Sequence, residues 1–294
     1  MPTLIVAMLL PCACLILAPG VALAATIVSV LPDARGSLAR PDARPWVGPG
    51  RVYSPGVAPL DQPNPQMSDV PPPGAHAGPS VAEVLATLRA QYGTPEPRHS
   101  DGPLAELILT ILSQNTSDVN TDRAFASLWS TFGSWEAIVQ APVPAVAEAI
   151  RSGGLAEIKA PRIKGVLEAI QHDRGDLSLD FLGTLPVNDA RAYLTALSGV
   201  GPKTAACVLL FALGMPAMPV DTHVHRVSKR LGLIGPRVSA EAAHQLLEAS
   251  IPPAQMYDAH MLLIRHGRVV CKALRPRCGE CPLTATCPKV GVEG

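Results

Sequence analysis

Four cysteines close together near the carboxy terminus constrain this chain more than any other feature. Cys271, Cys278, Cys281 and Cys287 form a C-x6-C-x2-C-x5-C array in one short, arginine-rich stretch. Thiols so close in sequence cannot spread into a disulfide framework for a whole domain, but they can wrap one tetrahedral metal ion or one iron–sulfur cluster. The spacing leaves zinc and a cluster both open, and it departs from the paired C-x2-C arrangement of a zinc ribbon.

Composition sets the outer limits. The 294 residues are 48% hydrophobic and 16% charged, the profile of one or two packed domains rather than of a disordered chain. Formal net charge is zero, which argues against a protein coated in positive charge, so nucleic-acid binding has to come from a local patch. Such a patch runs from Arg265 to Arg277, where Arg265, Arg268, Lys272, Arg275 and Arg277 occur with no acid among them.

The amino terminus pulls another way. Residues 1–30 are an uncharged apolar run about long enough to span a bilayer, with ALAA as a signal-like cleavage site but no basic start. The segment that follows, through Pro79, is rich in Pro and Gly and reads as an unstructured linker. Export would carry the thiols into an oxidising compartment, which suits a labile cluster poorly. Two readings stay open: translation from Met67, giving a cytoplasmic, nucleoid-associated product, or a form anchored in or exported across a membrane through residues 1–30.

Beyond Pro79 the apolar residues recur at helical spacing almost without interruption. Ser80 followed by Glu83 is a capping box, and Val81, Val84, Leu85 and Leu88 continue the period. Asp101 and Pro103 open LAELILTILSQ, an apolar helix suited to the centre of a core. The pattern predicts further helices over 119–132, 135–140, 145–151, 157–172, 189–197, 203–213, 222–231, 240–249 and 255–266. No alternating strand or hairpin signal stands out, so an all-α fold of about ten short helices is the economical reading.

Within that set, LSGVGPKTA (Leu197 to Ala205) is the most chemically suggestive turn. Gly199 and Gly201 permit a tight hairpin with exposed backbone N–H groups, and Pro202 suits the first turn of the next helix. Such a hairpin can hold a DNA phosphate without reading a base. A Walker loop is disfavoured because Pro202 stands where the glycine before the lysine belongs, which argues against a small-molecule nucleotide. A plain helix–helix turn is the bland alternative.

Lys203 follows the hairpin directly, at the positive end of a helix, where an ammonium is disfavoured and a partly desolvated amine is suited to attack a sugar carbon. Asp221, in PVDTHVHRV, precedes another helix. Its carboxylate suits proton transfer or stabilisation of positive charge, and it is equally a natural helix N-cap. Lys159, Arg162 and Lys164 lie on one predicted helix and read as solvated or phosphate-facing charges, and Cys207 reads as packed core.

The sequence resembles the endonuclease III group of the helix-hairpin-helix DNA glycosylase superfamily over roughly Ser80 to Pro288. Four motifs carry the resemblance in order: ILSQNTSD (Ile111 to Asp118), LSGVGPKTA, VDTHVHRV (Val220 to Val227) and HGRVVC leading into the cysteine array. It implies a two-domain, all-α helix-hairpin-helix glycosylase fold with a carboxy-terminal iron–sulfur cluster loop. A helical barrel domain would run over 96–215, and 80–95 with 216–294 would form the cluster domain. It further implies a 4Fe-4S cluster held by Cys271, Cys278, Cys281 and Cys287, with Lys203 and Asp221 catalytic. Asn115 stands at the family's gap-filling glutamine position with Gln114 beside it; Gly199, Gly201, Lys272, Arg275 and Arg277 would contact DNA.

The reaction implied is base excision by a monomer on double-stranded DNA containing damaged bases or abasic sites. Lys203 would expel an oxidised pyrimidine through a Schiff base, and β-elimination would nick the strand. Asparagine in place of glutamine at 115 bears on substrate preference, and Lys203 argues against the adenine-specific relatives. A mismatch uracil or thymine glycosylase and a non-catalytic lesion-DNA-binding protein are the alternative readings.

Overall fold

The computed structural model describes residues 78–292. The apolar run over 1–30, Met67 and nearly all of the Pro/Gly-rich linker lie outside the described residues. Eleven α-helices follow one another, with no strand among the described residues: α1 (Val81–Tyr92), α2 (Pro103–Leu112), α3 (Asp118–Phe132), α4 (Trp135–Gln140), α5 (Val143–Ala149), α6 (Ala156–Arg174), α7 (Val187–Ala196), α8 (Pro202–Cys207), α9 (Thr222–Arg230), α10 (Ala240–Ser250) and α11 (Met256–Val269). No helix among the described residues is long and apolar enough to cross a membrane.

Local chemistry starts these helices. Ser80 and Glu83 form the reciprocal capping box, with the Glu83 N–H donating to Ser80 Oγ at 3.2 Å and the Ser80 N–H to Glu83 Oε2 at 2.8 Å. Ser117, Ser134 and Ser239 cap α3, α4 and α10 in the simpler way. Gly133 (φ 71°) and Gly175 (φ 79°) end α3 and α6 in the left-handed conformation that glycine adopts without strain.

The buried apolar side chains fall into two clusters. One gathers α2 through α8 around Leu107, Ile108, Ile111, Ile163, Leu167 and Leu194. The other joins α1 to α9, α10 and α11 around Leu88, Val224, Leu247 and Leu262, and takes in Leu283 from the tail. Burial of this kind contributes about 1.5–3 kcal/mol per large side chain.

The segment after Lys203 runs between the two clusters. The pattern predicts one helix over 203–213; instead α8 passes at Val208 into a π-helical turn, Val208–Ala212. Leu209 then packs in the first cluster and Leu210 in the second, and a wider turn lets adjacent residues face two cores. Smaller departures concern Arg151, which lies in a 3-10 turn (Arg151–Gly153) rather than in α5, and Gln255, in a 3-10 turn before α11.

Beyond α11 the described residues, to 292, are loop apart from a 3-10 turn, Cys278–Glu280. Arg230 at the end of α9 ties it down, donating to Lys272 O at 2.6 Å and Ala273 O at 3.1 Å, while its own carbonyl accepts from Val290 N at 3.2 Å.

Candidate active site

α7, the turn 197–201 and α8 form a helix–hairpin–helix. Gly199 has φ 81°, and a Cβ there would lie 2.5 Å from Arg162 Nε, so both backbone and packing require glycine. Gly201 is different: φ is −94° and a Cβ would meet nothing within 4 Å. Its glycine keeps the exposed face of the turn open rather than permitting the fold. Val200, 5% exposed, anchors the hairpin in the first core.

Lys203 is the second residue of α8 and Asp221 the N-cap of α9. Asp221 Oδ1 accepts from His223 N at 2.9 Å and Val224 N at 2.7 Å, so the capping reading holds and the carboxylate is fixed by it. Lys203 and Asp221 line one cavity of about 430 Å³, along with Glu106, Cys207, Phe211 and His260. α2, α3, α8, α11 and the N-cap of α9 thus each contribute to its wall.

Buried polar side chains form part of the cavity wall. Glu106 is 2% exposed and its Oε2 accepts from Arg98 Nη2 at 2.7 Å. Burial pushes the Glu106 carboxyl up, and Arg98 opposes the shift. Burial likewise pushes the Cys207 thiol up, so Cys207 is packed as the sequence suggests but on the cavity wall beside Lys203. His260 Nδ1 lies 2.9 Å from Pro219 O, and burial pushes the imidazole down to about 4, leaving it neutral at physiological pH.

A second structural unit stands beside this cavity. The turn after α2 holds Asn115 exposed at φ 55°, a conformation asparagine tolerates better than most residues. Gln114 is half-buried, and its Oε1 accepts from Arg162 Nη1 at 2.7 Å. Arg162 therefore links this turn to Gly199 of the hairpin. Lys159 is not a solvated charge: it is 1% exposed and its Nζ donates to Leu112 O at 2.6 Å and Gly153 O at 2.9 Å. Its ammonium joins the end of α2 to the turn leading into Leu155, which has φ 51° and is 47% exposed. Lys164 is also mostly buried, with its ammonium on the carbonyls of Ile138 and Val139. Lys159 and Lys164 of α6 are thus internal fasteners, because carbonyls left over at helix ends and turns need donors.

Cys271, Cys278, Cys281 and Cys287 are free and line one cavity in the tail. Arg230 Nη1 donates to Cys271 Sγ at 3.5 Å and the Lys289 N–H to Cys287 Sγ at 3.4 Å, contacts that suit sulfur carrying negative charge. Burial, reinforced by the neighbouring sulfurs, pushes Cys281 and Cys287 up. Among the described residues no three Cys, His, Asp or Glu side chains gather as ligands of a single ion. The four sulfurs line a shared space, a donor set of the kind that holds a metal ion or an iron–sulfur cluster.

The basic stretch divides on folding. Arg268 pairs with Asp118 at 2.7 Å, Arg265 donates to Tyr92 O at 2.8 Å and Arg277 pairs with Glu280 at 3.0 Å. Lys272, Arg275 and Arg277 are exposed on the loop between the first two cysteines, with Arg275 at φ 51°.

Sequence reasoning missed Glu106, Arg98 and His260. Glu106 carried a legible signal, a lone acid within the apolar run LAELILTIL. Arg98 and His260 carried none, because Arg98 stacks on Phe211 and His260 meets Pro219 O, both remote in sequence.

Comparison with known proteins agrees with this arrangement. The model of the HhH-GPD superfamily of base excision DNA repair proteins matches residues 108–253. Endonuclease III of Escherichia coli K12 is 33% identical over 207 residues, covering 70% of this chain and 93% of that protein. Endonuclease III of Bacillus subtilis is 35% identical over 189 residues, 64% of this chain and 82% of that one. A candidate DNA glycosylase of Arabidopsis thaliana is 38% identical over 186 residues, 63% of this chain and 61% of its own length. Among solved structures, a trapped endonuclease III–DNA covalent intermediate superposes with a TM-score of 0.62 at 31% identity, covering 71% of this chain and 94% of that one.

Proposed function

The chain belongs to the endonuclease III group of HhH-GPD base excision DNA glycosylases, and on that premise we propose that it removes oxidised pyrimidines through a Schiff base on Lys203 and nicks the strand as an apurinic/apyrimidinic lyase. One observation carries the reading: Lys203 and Asp221, at the starts of two different helices, line the same cavity. That cavity has the polar wall and aromatic surface that an extruded base requires.

In the proposed reaction Lys203 Nζ, as the free amine, attacks C1′ of the damaged nucleotide. The C1′–N bond breaks, and its electron pair leaves with the base, which takes up a proton. Asp221 stabilises the positive charge on the sugar and accepts the proton that the lysine gives up. The C1′–O4′ bond then breaks, O4′ takes up a proton, and the lysine nitrogen's lone pair closes the imine on the opened sugar; the imine acidifies C2′, loss of that proton breaks the C3′–O bond and opens the strand, and water then releases Lys203. Asn115, exposed on its turn, fills the gap left by the extruded nucleotide, while Gln114 stays bound to Arg162. The exposed hairpin at Gly199 and Gly201 and the loop cations Lys272, Arg275 and Arg277 hold phosphates of double-stranded DNA.

The group held by Cys271, Cys278, Cys281 and Cys287 is a 4Fe-4S cluster in this reading. Four free thiols lining one cavity support a thiolate-bound group there, and membership of the endonuclease III group favours a cluster over a single zinc ion. When bound it supplies a rigid cross-link for the loop that carries the cations. The two apolar cores support a division into a helical barrel domain, 96–215, and a cluster domain of 80–95 with 216–294.

The test is reductive trapping. Purified protein incubated with thymine-glycol duplex and borohydride should give a covalent protein–DNA band that Lys203→Ala abolishes. Absence of that band across a panel of lesions, with DNA binding intact, would replace the enzyme by a non-catalytic lesion binder.

A further inference from the structure

Burying a carboxylate inside an apolar helix costs several kcal/mol unless it is paired, so Glu106 needs a reason to be on α2. Helix α2 is otherwise apolar apart from Thr110, and Glu106 is 2% exposed. Its Oε2 is held by Arg98 at 2.7 Å; its Oε1 has the Thr110 hydroxyl at 3.4 Å, a long and weak contact. A carboxylate offers about four acceptor positions, so Oε1 keeps strong acceptor capacity, and Glu106 lines the cavity of Lys203 and Asp221.

Arg98 complements it. The guanidinium lies 5.1 Å from the centroid of Phe211, which lines the same cavity, and His260 meets Phe211 edge-on at 5.3 Å. Arg98 has five N–H donors and sits on the cavity rim, shared with a neighbouring hollow lined by Phe125. A flat aromatic wall, a buried acceptor and a charged donor thus meet in one space with the lysine. Neither Arg98 nor Glu106 is needed to break a bond at the sugar.

We propose that the Arg98–Glu106 pair reads the edge of the extruded base, Glu106 accepting a ring N–H and Arg98 donating to the adjacent carbonyl, and so favours pyrimidines with an imide edge. The imide edge of thymine or uracil derivatives has an N–H between two carbonyls, so an acceptor–donor pair matches it whichever carbonyl is presented. A cytosine derivative offers an unprotonated ring nitrogen at the centre of that edge and matches in one orientation only. This names the substrate class of the site and rests on the glycosylase reading above.

The test compares single-turnover excision of thymine glycol and of 5-hydroxycytosine, each read against the same variant's nicking of a plain abasic site, where there is no base to read. In Glu106→Gln the amide oxygen remains on Arg98 and an NH₂ replaces Oε1, turning the acceptor into a donor. The ratio of thymine-glycol to 5-hydroxycytosine excision should fall about ten- to hundredfold, the effect of one mispaired buried polar contact. Arg98 lies on a loop rather than in a helix, so Arg98→Gln tests the pair should Glu106→Gln fail to fold; it should lower excision of both bases relative to abasic-site nicking. An unchanged base ratio in Glu106→Gln, or losses equal for damaged bases and abasic sites in both variants, overturns the proposal. Failure of the wild-type protein to be trapped on abasic DNA would overturn the Schiff-base reading instead, and the base ratio would still decide the role of Arg98 and Glu106.

Discussion

Lys159→Met removes one ammonium and keeps most of its stem. The wild-type Nζ donates to Leu112 O at 2.6 Å and Gly153 O at 2.9 Å in a site where the side chain is 1% exposed. Hydrogen bonds from a charged donor contribute about 1.5–3 kcal/mol each, so about 3–6 kcal/mol of interaction is lost and two carbonyls are stranded. Burial already pushes the lysine down, a sign that keeping the charge there has a cost, and removing it offsets part of the loss. The net destabilisation expected is about 2–4 kcal/mol, which for a domain of this size lowers Tm by about 5–15 °C. Thermal unfolding followed by far-UV circular dichroism measures it. A Tm shift under about 2 °C would show that burying the ammonium costs as much as its two bonds contribute, and the fastener role would fall.

Gly199→Ala combines left-handed strain of about 1–2 kcal/mol with a Cβ 2.5 Å from Arg162 Nε. It should displace Arg162 from Gln114 and weaken binding to undamaged duplex by about tenfold in fluorescence anisotropy. His260 has its pKa pushed down to about 4 by burial, with Asp221 opposing. The folded state therefore binds fewer protons than the unfolded state between about pH 6.5 and 4, so stability is full above that window and is lost as pH falls through it, by up to about 3 kcal/mol. His260→Gln should flatten the acid limb of a urea-unfolding series; an unchanged limb would assign acid sensitivity elsewhere. Cys281→Ser should abolish bound iron by elemental analysis and expose residues 272–289 to proteolysis, whereas one zinc per chain in the wild-type protein would refute the cluster.

The division between local and remote information follows the contacts. Helix starts and stops were legible because Ser80 and Glu83, or Ser117 and Asn120, are three residues apart and make their bonds whatever the rest of the chain does. The hairpin of Gly199 and the cysteine array are likewise short, and their chemistry is written in spacing. Lys159 was misread as a solvated charge because its acceptor on Leu112 lies 47 residues away. Arg162 reaches Gln114 across 48 residues, and Arg230 reaches Lys272 across 42. The π-helical turn after α8 arises because Leu209 and Leu210 must enter different cores, a demand no helical period expresses. By itself the sequence determined which segments are helical, where the hairpin turns and which thiols lie together, since those depend on neighbours along the chain. Tertiary structure alone decided which cations became internal fasteners and that Glu106, Arg98 and His260 share a cavity with Lys203, because a buried charge is tolerable only where the fold brings partners to it.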